Sequence, residues 1–141
     1  VVDSREKKPI SFLPLRTVSA ALKVGDYSVK GYEERMAVER KSFSDLYDCL
    51  TTKLSFFRGQ LKRLSVIPHR SLIIETSMTA FLMGHPMKEI TGAVALERLN
   101  RLAEAYGISY HFCDRCGPLF VKTLLYHWWK EENHEDWRAD S

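Results

Sequence analysis

Cysteine is scarce in this chain: there are three in 141 residues, an odd number, and that excludes a disulfide framework as the source of its stability. Long apolar runs are missing as well. None approaches the roughly 20 residues a membrane-spanning helix needs, and the amino-terminal residues show no charged-then-apolar signal pattern. Internal repeats, low-complexity linkers and glycine-rich phosphate-cradling loops are likewise absent. What is there is 45% apolar content, enough for one hydrophobic core that buries roughly two-thirds of the unfolded surface. The expectation is a single domain over residues 1–141, soluble and cytoplasmic, with no membrane partner.

The net charge of +3 is too small to argue for nucleic acid by itself. Its distribution says more. Lys53, Arg58, Lys62, Arg63, His69 and Arg70 gather in the middle of the chain, while Glu131, Glu132, Glu135, Asp136 and Asp140 collect at the carboxyl end. The middle is suited to face a phosphate backbone, although the same residues also suit the solvated side of an amphipathic helix.

The chemistry concentrates between Gly25 and Asp45, in the stretch GDYSVKGYEERMAVERKSFSD. Val38 to Lys41 reads as a short buried strand, so Glu39 and Lys41 leave one face while Val38 and Arg40 leave the other. A strand-like run from Val18 to Val24 precedes Asp26, and a polar turn around Lys30 to Glu33 folds the two arms back as antiparallel neighbours. Such a hairpin brings Asp26 to Glu39. Two converging carboxylates are oxygen ligands for a hard divalent cation, Mg2+ or Mn2+. Lys41, beside such an ion, is placed to orient an attacking water or to stabilise a phosphoryl transition state. Asp followed by Glu-x-Lys suits phosphodiester hydrolysis.

Val2-Asp3-Ser4-Arg5-Glu6, Gly25-Asp26-Tyr27 and Val38-Glu39-Arg40-Lys41-Ser42 with Asp45 together resemble the nuclease domain of the XPF/Mus81 family, the ERCC4 domain. The resemblance is strongest from Val1 to about Glu75. It implies an α/β, restriction-endonuclease-like (PD-(D/E)xK) fold, a mixed central sheet flanked by helices, and metal-dependent cutting of DNA near flaps, forks or branches. Carried over, Asp26, Glu39, the backbone carbonyl of Arg40 and Asp3 hold the metal. Lys41, Arg5 and Asp45 complete the catalytic set, and Arg5, Gln60 and Arg63 contact DNA. Glu6 and Glu75 lie near enough in the pattern to be considered beside them. Ser55 and Phe56 stand where many members carry a basic residue. The compact segment after Arg5 and the lack of a helix-hairpin-helix tail are similar to stand-alone bacterial or phage members. A homodimer or a separate DNA-binding partner then supplies further contacts. A catalytically silent DNA-binding or scaffold subunit is the alternative reading, and an RNA-directed nuclease is a third.

The remaining elements follow from periodicity. Ser42 to Leu64 reads as one helix, with apolar residues every three or four positions and a capping box from Ser42 to Asp45. Asp45 thus has a structural role available beside the catalytic one. Ser71 to Glu75 reads as a buried strand, Thr76 to Pro86 as a loop with apolar anchors, and Lys88 to Tyr106 as a helix ended by Gly107. A strand over Ile108–Phe112 and a helix over Pro118–Trp129 complete the reading. Cys113 and Cys116 are half of a zinc site, and with Cys49 alone to join them they read as structural. Trp128, Trp129 and Trp137 read as core or interface rather than as base-stacking groups.

Overall fold

The computed structural model describes residues 1–6 and 19–133. Its centre is three parallel strands: β3 (Met36–Ser42), β4 (His69–Glu75) and β5 (Ser109–Phe112). Met36 pairs with His69 and Ser42 with Glu75, and β4 then pairs from Ser71↔Ser109 to Ile74↔Phe112. The central strands are apolar on both faces, as parallel strands covered on both sides must be. Two short strands, β1 (Val2–Asp3) and β2 (Ser19–Ala20), pair parallel with each other. Tyr27 joins the two groups by antiparallel bridges to Val2 and Val38, which makes the sheet mixed.

One core packs Ala37, Leu72 and Ile74 against α1 (Phe43–Cys49), α2 (Leu54–Leu64) and α4 (Gly92–Tyr106), through Leu46, Tyr47, Phe57, Leu61 and Leu99. The other core packs Tyr27, Met36, Val38 and Ile73 against Val121, Leu125 and Trp128 of α5 (Gly117–Glu132). Successive residues of β3 therefore feed opposite cores. That alternation sends Glu39 and Lys41 to one face and Arg40 to the other.

Four elements differ from the periodicity reading. Ser42–Leu64 is two helices, because the Thr51 hydroxyl donates back to the Tyr47 carbonyl at 2.7 Å while the Thr51 and Lys53 amides both turn to Asp48 O. The apolar stripe continues across the break since both helices face one core, so period alone could not reveal it. Ser42 does cap α1, its Oγ accepting from Asp45 N at 3.2 Å. The run expected as a strand over Val18–Val24 contributes only Ser19–Ala20, paired to β1 and not to β3, and Val18 lies outside the described residues. The Thr76–Pro86 stretch contains a short helix, α3 (Met78–Leu82), capped by Ser77 and anchored by buried Phe81, whose carbonyl accepts from Tyr47 Oη at 2.6 Å. The helix expected from Lys88 begins at Gly92, after the Thr91 cap, and ends as read at Gly107 with φ 64°. Lys88 instead pairs with Asp48. The connection read as a loop from Arg5 to Leu15, and Trp137, fall largely or wholly outside the described residues.

Gly92 marks the closest approach of α4 to α3, since a Cβ built there would overlap the Leu82 backbone carbonyl. Gly92→Ala is expected to destabilise the protein by about 1–3 kcal/mol, the usual range for overpacking. Chemical denaturation would show it as a lower midpoint at unchanged slope.

Candidate active site

The site begins with the backbone at Gly25. Its φ of 76° favours glycine, and a Cβ there would meet Ala37 Cβ at 3.0 Å and the Val38 carbonyl oxygen at 3.2 Å. This close approach lets Asp26 N and Tyr27 N both donate to Val38 O, at 2.8 and 3.2 Å, while Val38 N donates to Tyr27 O at 2.9 Å. Asp26 is thereby fixed beside β3. Its Oδ2 accepts from Arg40 N at 2.8 Å, which aims the carboxylate at the strand position of Glu39.

Glu39 is buried, 8% exposed, and Lys41 Nζ lies 3.5 Å from its Oε1. The Lys41 stem runs over the first core, with Nζ 5.8 Å from the ring centroid of Phe57. Burial and then the charge of Glu39 push the Asp26 carboxyl up to about 8, against the opposing pull of the Arg40 amide and Lys41. Burial likewise raises Glu39, with Lys41 opposing. A half-buried and a buried carboxylate with one lysine beside Glu39 are short of positive charge. All the side-chain donors are oxygen, and the deficit is one a hard divalent cation removes, so the residues fit Mg2+ or Mn2+. No three His, Cys, Asp or Glu side chains among the described residues gather as a ready cage. The protein side of such a centre would therefore be small, with room for water and phosphate oxygens.

The other residues read from the sequence distribute around this pair. Asp3 is buried and joined to Asp26 through its backbone, Asp3 N donating to Asp26 O at 2.7 Å. Its carboxylate, however, accepts from Leu22 N at 3.0 Å and from Arg5 Nε at 3.0 Å. Burial opposes its ionisation, but these bonds outweigh it and hold Asp3 below the usual carboxylate range. Arg5 is exposed, bonds Leu22 O at 2.7 Å, and feels both Asp26 and Glu39. Asp45 is exposed on the first turn of α1, and it makes no hydrogen bond to Asp26, Glu39 or Lys41 among the described residues. Gln60 and Arg63 lie on α2, one turn and two turns beyond Phe57.

Sequence reasoning kept the Arg40 backbone carbonyl at the site and turned its side chain away, without seeing what that side chain does. Its guanidinium bonds Glu6 Oε2 at 3.0 Å, Tyr27 Oη at 3.2 Å and Glu75 Oε2 at 2.9 Å, and Tyr27 Oη donates to Glu6 at 2.9 Å. This network ties β3 and β4 to the chain just after β1, on the face opposite Glu39. It also shows Glu75 turned from the carboxylate pair. A half-buried arginine in a strand calls for acidic partners, and that was the available signal.

Cys113 is buried in the second core and Cys116 is exposed at the start of α5, while Trp128 packs against His69 with centroids 5.6 Å apart. Neither group touches the carboxylate pair. Among the described residues no helix is long and apolar enough to cross a membrane.

Comparison with known proteins bears on this geometry. No curated protein matches the sequence. Among solved structures, XPF from Aeropyrum pernix is similar at 21% identity, with a TM-score of 0.69 over 88% of this chain and 61% of that one. The same protein in complex with DNA is similar at 22% identity, with a TM-score of 0.73 over 92% of this chain and 64% of that one. The chain thus spans less than two thirds of the length of the XPF chains it matches. The likeness establishes the fold as restriction-endonuclease-like. The model of the ERCC4 domain matches residues 2–115, across β1 to β5 and through every residue of the carboxylate–lysine site, and on that match the chain belongs to the ERCC4 domain family.

Proposed function

We propose that the chain is a Mg2+- or Mn2+-dependent endonuclease that hydrolyses DNA phosphodiester bonds, selecting flapped, forked or branched DNA in repair, recombination or phage DNA processing. The observation that carries this reading is half-buried Asp26 beside buried Glu39, with Lys41 Nζ 3.5 Å from Glu39. Asp26, Glu39 and the Arg40 backbone carbonyl would hold the ion, with Asp3 fixing the Asp26 backbone from behind. When bound, such an ion supplies a nucleophilic water near neutral pH and neutralises phosphoryl charge.

The chain's own residues do the rest. Lys41 brings a fixed ammonium to the charge that develops on the phosphoryl oxygens, in a pocket where little water screens it. Arg5, exposed and unable to lose its proton, holds Asp3 and Leu22 O through Nε and Nη2 and can turn its Nη1 group to a neighbouring phosphate. Gln60 and Arg63 line the approach on α2, and Asp45 stands at the edge beside Ser42. Further duplex contacts come from a second copy of the chain or from a separate DNA-binding partner. Sedimentation with and without DNA tells these apart.

The test is cleavage of end-labelled duplex, single-strand, flap and fork DNA in Mn2+, with matched RNA strands alongside. Cutting of junction DNA that EDTA and Glu39→Gln both abolish supports the reading. Binding without cutting, by folded protein in every metal, would replace it with the silent DNA-binding subunit, and cutting confined to RNA would replace the substrate.

A further inference from the structure

Phe56 and Phe57 are neighbours in sequence with opposite fates. Phe57 is fully buried beneath Lys41, while Phe56 is 62% exposed on the first turn of α2. The core stripe of this helix is Phe57, Leu61 and Leu64. Phe56, Gln60 and Arg63 follow at the same three-to-four spacing, one residue earlier, and so form a flank along the edge of that stripe. An aromatic ring left in water, one residue from the ring that lies under Lys41, has no packing role to explain it.

Its surroundings identify what it would meet. Between Asp48 and Glu75 the chain contains no acidic residue, and Arg58, Lys62 and Arg63 extend from α2 without an ion pair among the described residues. Such a surface attracts a polyanion. Phe57, the residue after Phe56, has its ring centroid 5.8 Å from Lys41 Nζ, so the turn that carries Phe56 adjoins the catalytic group. Gln60, on the same flank, has its Oε1 enclosed without a hydrogen-bond donor. A phosphate oxygen, which only accepts, cannot satisfy that atom. The N–H groups of a base edge can, once the amide turns outward.

We infer that Phe56 is a stacking platform for an unpaired base next to the scissile phosphate, with Gln60 and Arg63 completing the strip. This deepens the nuclease reading and rests on its DNA-binding half. Within a duplex the bases hide their faces in the stack, whereas a flap or fork presents one, and a basic groove with an aromatic platform is how single strands are held without regard to sequence. Phe56 would in this way make the enzyme prefer substrates with unpaired nucleotides beside the cut.

The experiment compares full-chain wild type with Phe56→Ala and Phe56→Trp on a forked DNA carrying 2-aminopurine in its unpaired arm, and on a continuous duplex of the same sequence. Base quenching, affinity and cleavage in Mn2+ are read together. Phe56→Ala is expected to weaken fork binding by about 5- to 100-fold, to lose the quenching, and to leave the continuous duplex unchanged, while Phe56→Trp restores the wild-type pattern. Equal behaviour of wild type and Phe56→Ala on the fork would overturn the inference. So would an equal loss on both DNAs, or a change confined to the sedimentation of the free protein, which would mark a contact between copies. Should the wild type cut nothing yet quench the arm base only when Phe56 is present, the nuclease reading fails and the platform stands.

Discussion

Replacing Lys41 with alanine is expected to slow metal-dependent DNA cleavage by about 10²- to 10³-fold, the usual cost of removing one preorganised donor from a developing anion. The geometry explains why the effect falls on the chemical step. Lys41 Nζ is held between Glu39 and the face of Phe57, and its side chain is 12% exposed, so in the proposed mechanism it would meet the reacting phosphate already desolvated. On the proposed reading DNA affinity would rest on α2 and Arg5, and it should change little. Single-turnover rates at saturating protein separate the two. Lys41→Arg should recover only part of the rate, because a planar fork does not occupy the place of a compact ammonium. A loss of less than about threefold for Lys41→Ala would remove the lysine from the chemistry.

The second large effect concerns stability. Asp26 titrates at about 8 in the folded protein against 3.8 as its ordinary value, because burial and Glu39 disfavour its charge. Between those two pH values the folded chain holds a proton that the unfolded chain has released, so stability falls as pH rises from about 4 to about 8. Asp26→Asn removes this dependence. Asparagine's oxygen can still accept from Arg40 N, so the local turn survives. In the metal-free protein at pH 8 the variant should melt about 5–10 °C above the wild type, where 1 kcal/mol moves a domain of this size by about 4 °C. At pH 4 the difference should nearly vanish. Added Mn2+ should then reverse the order at pH 8, because the wild type gains from binding and the variant does not. Equal melting temperatures at pH 8 would mean that Asp26 pays no electrostatic cost and that the site is not short of a cation.

How much of this was readable beforehand differs from element to element. The alternation of β3 was enough to put Glu39 and Lys41 together and Arg40 elsewhere, because a strand's period is fixed by its pleat. Gly107 was legible as a helix end, since its positive φ is a local demand. The break at Thr51 was not, because the stripe passes through it undisturbed and the competing hydrogen bonds leave no mark on periodicity. Nor was the pairing of Ser19–Ala20 with Val2–Asp3 legible: both strands are two residues long, and their register depends on Asp3 holding Leu22. Asp26 was expected to reach Glu39 by a hairpin with two full arms. It reaches it through the single bridge of Tyr27 and the glycine before it, a contact set by three-dimensional approach rather than by strand length. The Arg40 network escaped for the same reason, since Glu6, Tyr27 and Glu75 are brought together only once the sheet forms.

The most direct test of the Asp26–Glu39 cation site is a calorimetric titration of the protein with Mn2+ at pH 7 in two buffers of different ionisation enthalpy. With the Asp26 carboxyl pushed up to about 8 and Glu39 raised as well, the metal-free pair holds a proton at pH 7 that a cation must displace. One binding site that takes up the cation with release of protons, and disappears in Glu39→Gln, is the predicted result. Binding that persists unchanged in Glu39→Gln, or no binding at all by the folded wild type, would contradict the account.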